Sequence, residues 1–99
     1  MADYGVTWDD ECLADLVEIF GDLLSADDAI HAIDWRLNHN PHGPGTWDLS
    51  PEAGIRLTWL RPHRGFPAVA FSYRVEVSGS DAYRCIVLRA RPANLAASS

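Results

Sequence analysis

Hydrophobic residues recur with two different periods along this chain, and the period changes near residue 55. Leu13, Leu16, Val17, Phe20, Leu23 and Leu24 fall at three- and four-residue steps, the spacing of one face of a helix. This predicts an amphipathic helix from about Asp9 to Leu24, weakened in its last turn by Gly21. The acids at 9, 10 and 11 suit its N-terminus, and Thr7, three before Asp10, comes close to a capping box. Ahead of it, Tyr4 to Trp8 reads as a short strand with Val6 and either Trp8 or Tyr4 inward. Ser25 is the N-cap candidate of a second helix whose first turn holds Asp27 and Asp28. Ala26, Ala29, Ile30, Ile33 and Leu37 form its stripe, with Trp35 to one side. Asn38-His39-Asn40-Pro41 ends it, because the residue before a proline is pushed out of the helical region. A helical hairpin is expected.

Residues 38–54 are rich in proline and glycine and read as a connection, with an irregular strand around Thr46 to Leu49. Beyond it the period is two. Ile55, Leu57 and Trp59 alternate with Arg56 and Thr58. Val69, Phe71, Tyr73, Val75 and Val77 alternate with Ala70, Ser72, Arg74 and Glu76. Tyr83 to Ala90 makes a further run. The links at 61–67 and 78–81 are short and turn-rich, which favours an antiparallel meander. The expected fold is α+β: an N-terminal strand, a helical hairpin, then a three- to four-stranded antiparallel sheet packed on the helices. Residues 1–99 are expected to form one domain, with 93–99 as a frayed tail.

Composition narrows the class. The 99 residues are 47% hydrophobic and 22% charged, which excludes wholesale disorder. The longest apolar run, Ala68-Val69-Ala70-Phe71, is too short to cross a bilayer, and no basic stretch leads into an apolar one near Met1. A cytoplasmic protein with no membrane partner is expected. Cys12 and Cys85 are too few for a zinc site or a disulfide scaffold, and Cys12 reads as a small buried or half-buried thiol. No cofactor and no metal are expected; His31, His39, His42 and His63 read as exposed histidines. Gly43-Pro44-Gly45 lacks the lysine of a phosphate loop.

Charge is divided along the chain. Met1 to Gly54 holds twelve acids and one base, Arg36, a net −11; Ile55 to Ser99 holds seven arginines and two acids, a net +5. All eight bases are arginine, whose planar fork suits carboxylates and phosphates. Two readings stand. The arginines of the second half pair with the acids of the first, or they form a basic sheet surface that meets an anionic partner. Arg74 and Arg84 could face solvent, a ligand, or Asp15 and Glu18. Trp8, Trp35, Trp47 and Trp59 fill a core and a lid or offer stacking platforms, and Trp47 is the one placed to be exposed.

Several segments resemble, in order, the RelE/ParE superfamily of small bacterial toxins, the toxic halves of type II toxin–antitoxin pairs. They are Val6-Thr7-Trp8-Asp9 with Leu13 to Ile19, Ala32 to Leu37 with Asn40-Pro41 and Gly43, Gly54-Ile55-Arg56-Leu57, Phe71 to Val75, and Ile86 to Pro92. The resemblance implies a toxin-like component neutralised by a cognate antitoxin, acting on ribosome-bound mRNA as a metal-free endonuclease or on DNA gyrase as a binder. It implies anion contacts at Arg56, Arg74, Arg89 and Arg91. The RNA-cleavage set is depleted: Ala70 stands where RNA-cleaving members carry an arginine three residues before the tyrosine matching Tyr73, no lysine exists, and no tyrosine follows Tyr83. The alternative is an acidic immunity or inhibitor protein that masks a basic nuclease or other basic protein.

Overall fold

The computed structural model describes residues 3–61, 68–77 and 82–92. The turns at 62–67 and 78–81, His63 and the tail 93–99 lie outside the described residues. The order is β1 (Asp3–Trp8), α1 (Asp10–Phe20), α2 (Asp27–His39), β2 (Thr46–Ser50), a 3-10 turn over Pro51–Ala53, β3 (Ile55–Leu60), β4 (Val69–Val77) and β5 (Ala82–Pro92). The α+β class expected from the two periods is present. The sheet is larger and of a different kind from the one expected: five strands in the order β1-β5-β4-β3-β2. The first strand joins it parallel to the last, Val6 beside Cys85 and Trp8 beside Val87, while every other pair is antiparallel. The turn-rich segment supplies an edge strand, β2, bulged at Leu49.

Helix boundaries follow local chemistry more closely than the apolar stripe does. α1 stops at Phe20 rather than Leu24, because Gly21 takes φ +98° and its N–H bonds the Val17 carbonyl, a backbone state that favours glycine. Ser25 does not cap α2. Its N–H instead bonds Asp22 Oδ1 at 2.6 Å, and α2 begins after Ala26. Thr7 plays no capping part either; Asp9 is the N-cap of α1 and makes no side-chain cap bond. α2 runs on to His39 and stops where Asn40, ahead of Pro41, turns extended.

The buried face of α1 is Cys12 and Leu16, flanked by half-buried Leu13, Ile19 and Phe20, whereas Val17, Leu23 and Leu24 are exposed. α2 buries Ala29, Ile33 and Leu37. The helices do not form a self-contained hairpin: α1 lies on β5 and α2 on β1. Beneath them sit Val69, Phe71 and Tyr73 of β4 with Cys85, Val87 and Ala90 of β5. Trp8 meets Phe71 edge-on, ring centroids 6.0 Å apart. Phe71 is fully buried at the centre of this cluster. Phe71→Ala is therefore expected to lower stability by about 3–5 kcal/mol in urea unfolding, while Leu24→Ser at the exposed corner changes it by no more than about 0.5 kcal/mol.

Candidate functional site

Alternation along the strands sorts the basic residues by face. Residues of β4 and β5 that point at the helices are apolar, so their neighbours point the other way: Ala70, Ser72, Arg74 and Glu76 on β4, Arg84, Ile86 and Arg91 on β5. Ile55, Leu57 and Trp59 of β3 continue this outer face, and Trp47 of β2 completes it. Strand register places Trp59, Ala70 and Arg91 in one row, Ile55, Arg74 and Ile86 in another, and Glu76 beside Arg84. Trp47 is half exposed and stands edge-on to Trp59, centroids 6.2 Å apart. No described element covers this face. Arg84 and Arg91 are exposed and Arg74 is half-buried. Among the described residues, none of the three makes a hydrogen bond or an ion pair.

The remaining described arginines on helix or sheet are occupied. β5 carries a bulge at Leu88, since Ser72 pairs with Arg89 and Tyr73 with Val87; a bulge re-aims the side chains next to it. Arg89 meets α1 there. Its Nε and Nη2 donate to the two oxygens of Asp15 at 2.8 and 3.0 Å, and Ala90 N–H donates to Asp15 Oδ2 at 3.0 Å. Glu11 lies 3.6 Å from Arg89 Nη1. The Arg89 bonds, with help from Ala90 N–H, hold the Asp15 carboxyl below the usual carboxylate range although burial works against them.

Arg56 faces the helix side, under the turn at residues 40–45. It donates to Asp48 Oδ1 and, at 2.8 Å, to Thr46 Oγ1, and its buried Nε has no hydrogen-bond partner among the described residues. Arg36 donates through Nη1 to Thr58 Oγ1 at 2.9 Å and to the Trp59 carbonyl at 2.6 Å. Of the four expected anion contacts, the structure thus leaves Arg74 and Arg91 together on the outer face and places Arg56 and Arg89 in internal pairs elsewhere. Arg84 joins the first two. Its phase opposite Cys85 and Val87 was the available signal.

Tyr73 is fully buried, and its hydroxyl donates to the Pro41 carbonyl. Burial pushes its pKa up, more than the adjacent Arg56 and Thr46 pull it down. It closes the 40–45 turn and offers no phenol to a ligand on the outer face. Both thiols are buried: Cys12 is pushed up to about 12 by burial and then Asp15, Cys85 to about 11 by burial. His39 stacks on Trp35 and donates Nδ1–H to the Trp35 carbonyl. Among the described residues no group of three or more histidines, cysteines or acids could hold a metal ion, and no helix is long and apolar enough to cross a membrane.

Comparison with known proteins leaves this surface to be argued from its own geometry: no family model, no curated protein and no solved structure matches the chain.

Two outcomes follow from the internal pairs. Asp15→Asn is expected to cost about 1–3 kcal/mol at neutral pH. Because the folded Asp15 is more acidic than its unfolded counterpart, its stabilisation is present above the unfolded value near 4 and fades as pH falls through the folded one. Urea midpoints of wild type and variant should therefore converge on acidification below about pH 4. Both cysteines should resist a thiol reagent at pH 8 in the native protein and react at once in denaturant, as expected of buried thiols this weakly acidic.

Proposed function

We propose that the chain is a toxin-like component of a type II toxin–antitoxin pair that acts by binding rather than by cutting RNA. One observation carries this reading: Arg74, Arg84 and Arg91, without a hydrogen bond or ion pair among the described residues, share with Trp47 and Trp59 the sheet face turned away from the acidic helices. Guanidinium groups that share a face with an exposed indole, Trp47, and a half-buried one, Trp59, suit an anionic partner, through charge, planar hydrogen bonding and stacking. The cognate antitoxin would lay an acidic segment along this face and so withhold it from the cellular target.

The internal geometry supports the binding half of the proposal over the nuclease half. Metal-free RNA cleavage needs a proton acceptor, a proton donor and a cation held at one phosphate. Ala70 occupies the middle of the outer face, between Trp59 and Arg91, where a guanidinium would be required. Tyr73 points the other way, into the core. Among the described residues the outer face presents arginines and small or apolar groups, and its one carboxylate, Glu76, stands beside Arg84, with Ser72 and Arg74 between it and Ala70 along that face of β4.

Controlled expression in bacteria tests this. Growth arrest is expected from the wild-type chain and not from the Arg74→Ser, Arg84→Ser, Arg91→Ser triple variant. Messenger RNA from the arrested cells should be uncut by primer extension, and co-expression of the adjacent small reading frame should restore growth. Normal growth with the wild-type chain would remove the toxin reading, and cut transcripts would restore the nuclease one. Inhibition of gyrase supercoiling by the purified protein would identify that enzyme as the target.

A further inference from the structure

The corner between α1 and α2 carries a second, oppositely charged surface. Val17, Leu23 and Leu24 gather within eight residues and are 40%, 43% and 88% exposed. Around them Glu18, Asp22, Asp27 and Asp28 are all exposed. The only base in this half of the chain is Arg36, whose guanidinium is tied to Thr58 and Trp59 beneath α2. It is not available to neutralise the corner. His31 Nε2 lies 3.3 Å from Asp27 Oδ1, one partner among four carboxylates.

The corner is preformed. Gly21 ends α1 with its N–H on the Val17 carbonyl, Asp22 Oδ1 accepts Ser25 N–H, and Asp27 N–H bonds the Leu24 carbonyl. These bonds hold Leu23 and Leu24 out without help from the core. They occupy the N–H groups of Gly21, Ser25 and Asp27. The exposed side chains of the corner are aliphatic at Val17, Leu23 and Leu24 and carboxylate at Glu18, Asp22, Asp27 and Asp28.

We propose that this corner docks a basic amphipathic helix of a partner protein, its apolar face on Val17, Leu23 and Leu24 and its lysines or arginines over Glu18, Asp22, Asp27 and Asp28. Charge selects this occupant. A second copy related by a two-fold axis through the corner would bring an equally acidic corner against this one, and an anionic membrane would be repelled. A helix with apolar residues at three- and four-residue spacing and a basic flank satisfies both parts of the surface. The site is independent of the outer sheet face and lies on the other side of the molecule's charge division.

The test is a titration with two fluorescent model helices of about 18 residues, one of leucine and lysine and one of leucine and glutamate, read by anisotropy. The basic helix should bind and the acidic one should not. Leu23→Ser with Leu24→Ser should weaken the basic helix at least about tenfold. Asp27→Asn with Asp28→Asn should weaken it at low salt, with the difference vanishing near about 0.5 M salt. All these positions are exposed, so unchanged circular dichroism and urea midpoints certify folding. The Arg74→Ser, Arg84→Ser, Arg91→Ser variant should bind the basic helix as the wild type does, which separates this proposal from the one above. Equal binding by the leucine variants, or equal binding of the acidic helix, would overturn it. So would sedimentation showing a wild-type dimer that Leu24→Ser dissociates, since the corner would then serve self-association.

Discussion

Two helices of 11 and 13 residues can cover only one face of a five-stranded sheet, and that shortage shapes the rest of the molecule. The covered face takes the large apolar residues in strict alternation, Val69, Phe71 and Tyr73 on β4 and Cys85 and Val87 on β5. The uncovered face cannot be equally apolar without inviting aggregation, nor fully polar while the strands keep β-branched and aromatic residues for pairing. The compromise is a mixed surface in which Ile86, Leu57, Trp59 and Trp47 are interrupted by Arg74, Arg84, Glu76 and Arg91. A surface of that composition is chemically suited to anionic, partly apolar partners as a by-product of how the sheet is built.

Asp15 solves a problem created by the parallel strand. β1 ends at Trp8, but β5 continues for five residues beyond Val87, the partner of Trp8. Past that point β5 has no strand neighbour on that side among the described residues, and a bare strand edge presents unpaired N–H groups. Asp15 from the first helix takes up Ala90 N–H and, at the same time, the guanidinium of Arg89, which the bulge at Leu88 turns towards it. One carboxylate thus closes an edge, docks a helix and neutralises a cation. The bidentate pairing is the strong form of such contacts, and it explains why Arg89 is not available to a ligand while Arg91, two residues on, is.

Several features could be read from the chain without coordinates. The change from helical to alternating periodicity near residue 55 indicated the α+β class, and Asn40-Pro41 marked the end of the second helix. The alternation of Arg74 with Phe71 and Tyr73 was likewise visible, although whether it met solvent, a ligand or a helix carboxylate was not. What escaped reading depends on contacts distant in sequence. The parallel pairing of β1 with β5 joins residues almost eighty positions apart, and nothing local to either strand encodes it. Asp15 and Arg89 are 74 residues apart, and a bulge, which shifts the phase by one, hides which way Arg89 turns. Leu23 and Leu24 continued the apolar stripe on paper but lie beyond a glycine that reverses the chain. In that case a local conformational preference outweighed periodicity.

The division of charge between the two faces survives folding because the sheet itself keeps the groups apart. The sheet lies between an acid on the outer surface of a helix and a guanidinium on its far face, so among the described residues the two form no direct ion pair, although Arg91 still helps Arg89 hold the Asp15 carboxyl down. Only arginines at an edge or on the near face escape this rule, and those are the ones found paired: Arg89 with Asp15 at the edge, Arg56 with Asp48 under the 40–45 turn, Arg36 beneath its own helix. The guanidinium groups of Arg74, Arg84 and Arg91 have no ion-pair partner among the described residues, and they and the outward carboxylates are left to seek counter-charges from outside the molecule. An excess of −11 in one half and +5 in the other, which in a single-layered protein would collapse into surface ion pairs, here becomes two separate electrostatic surfaces.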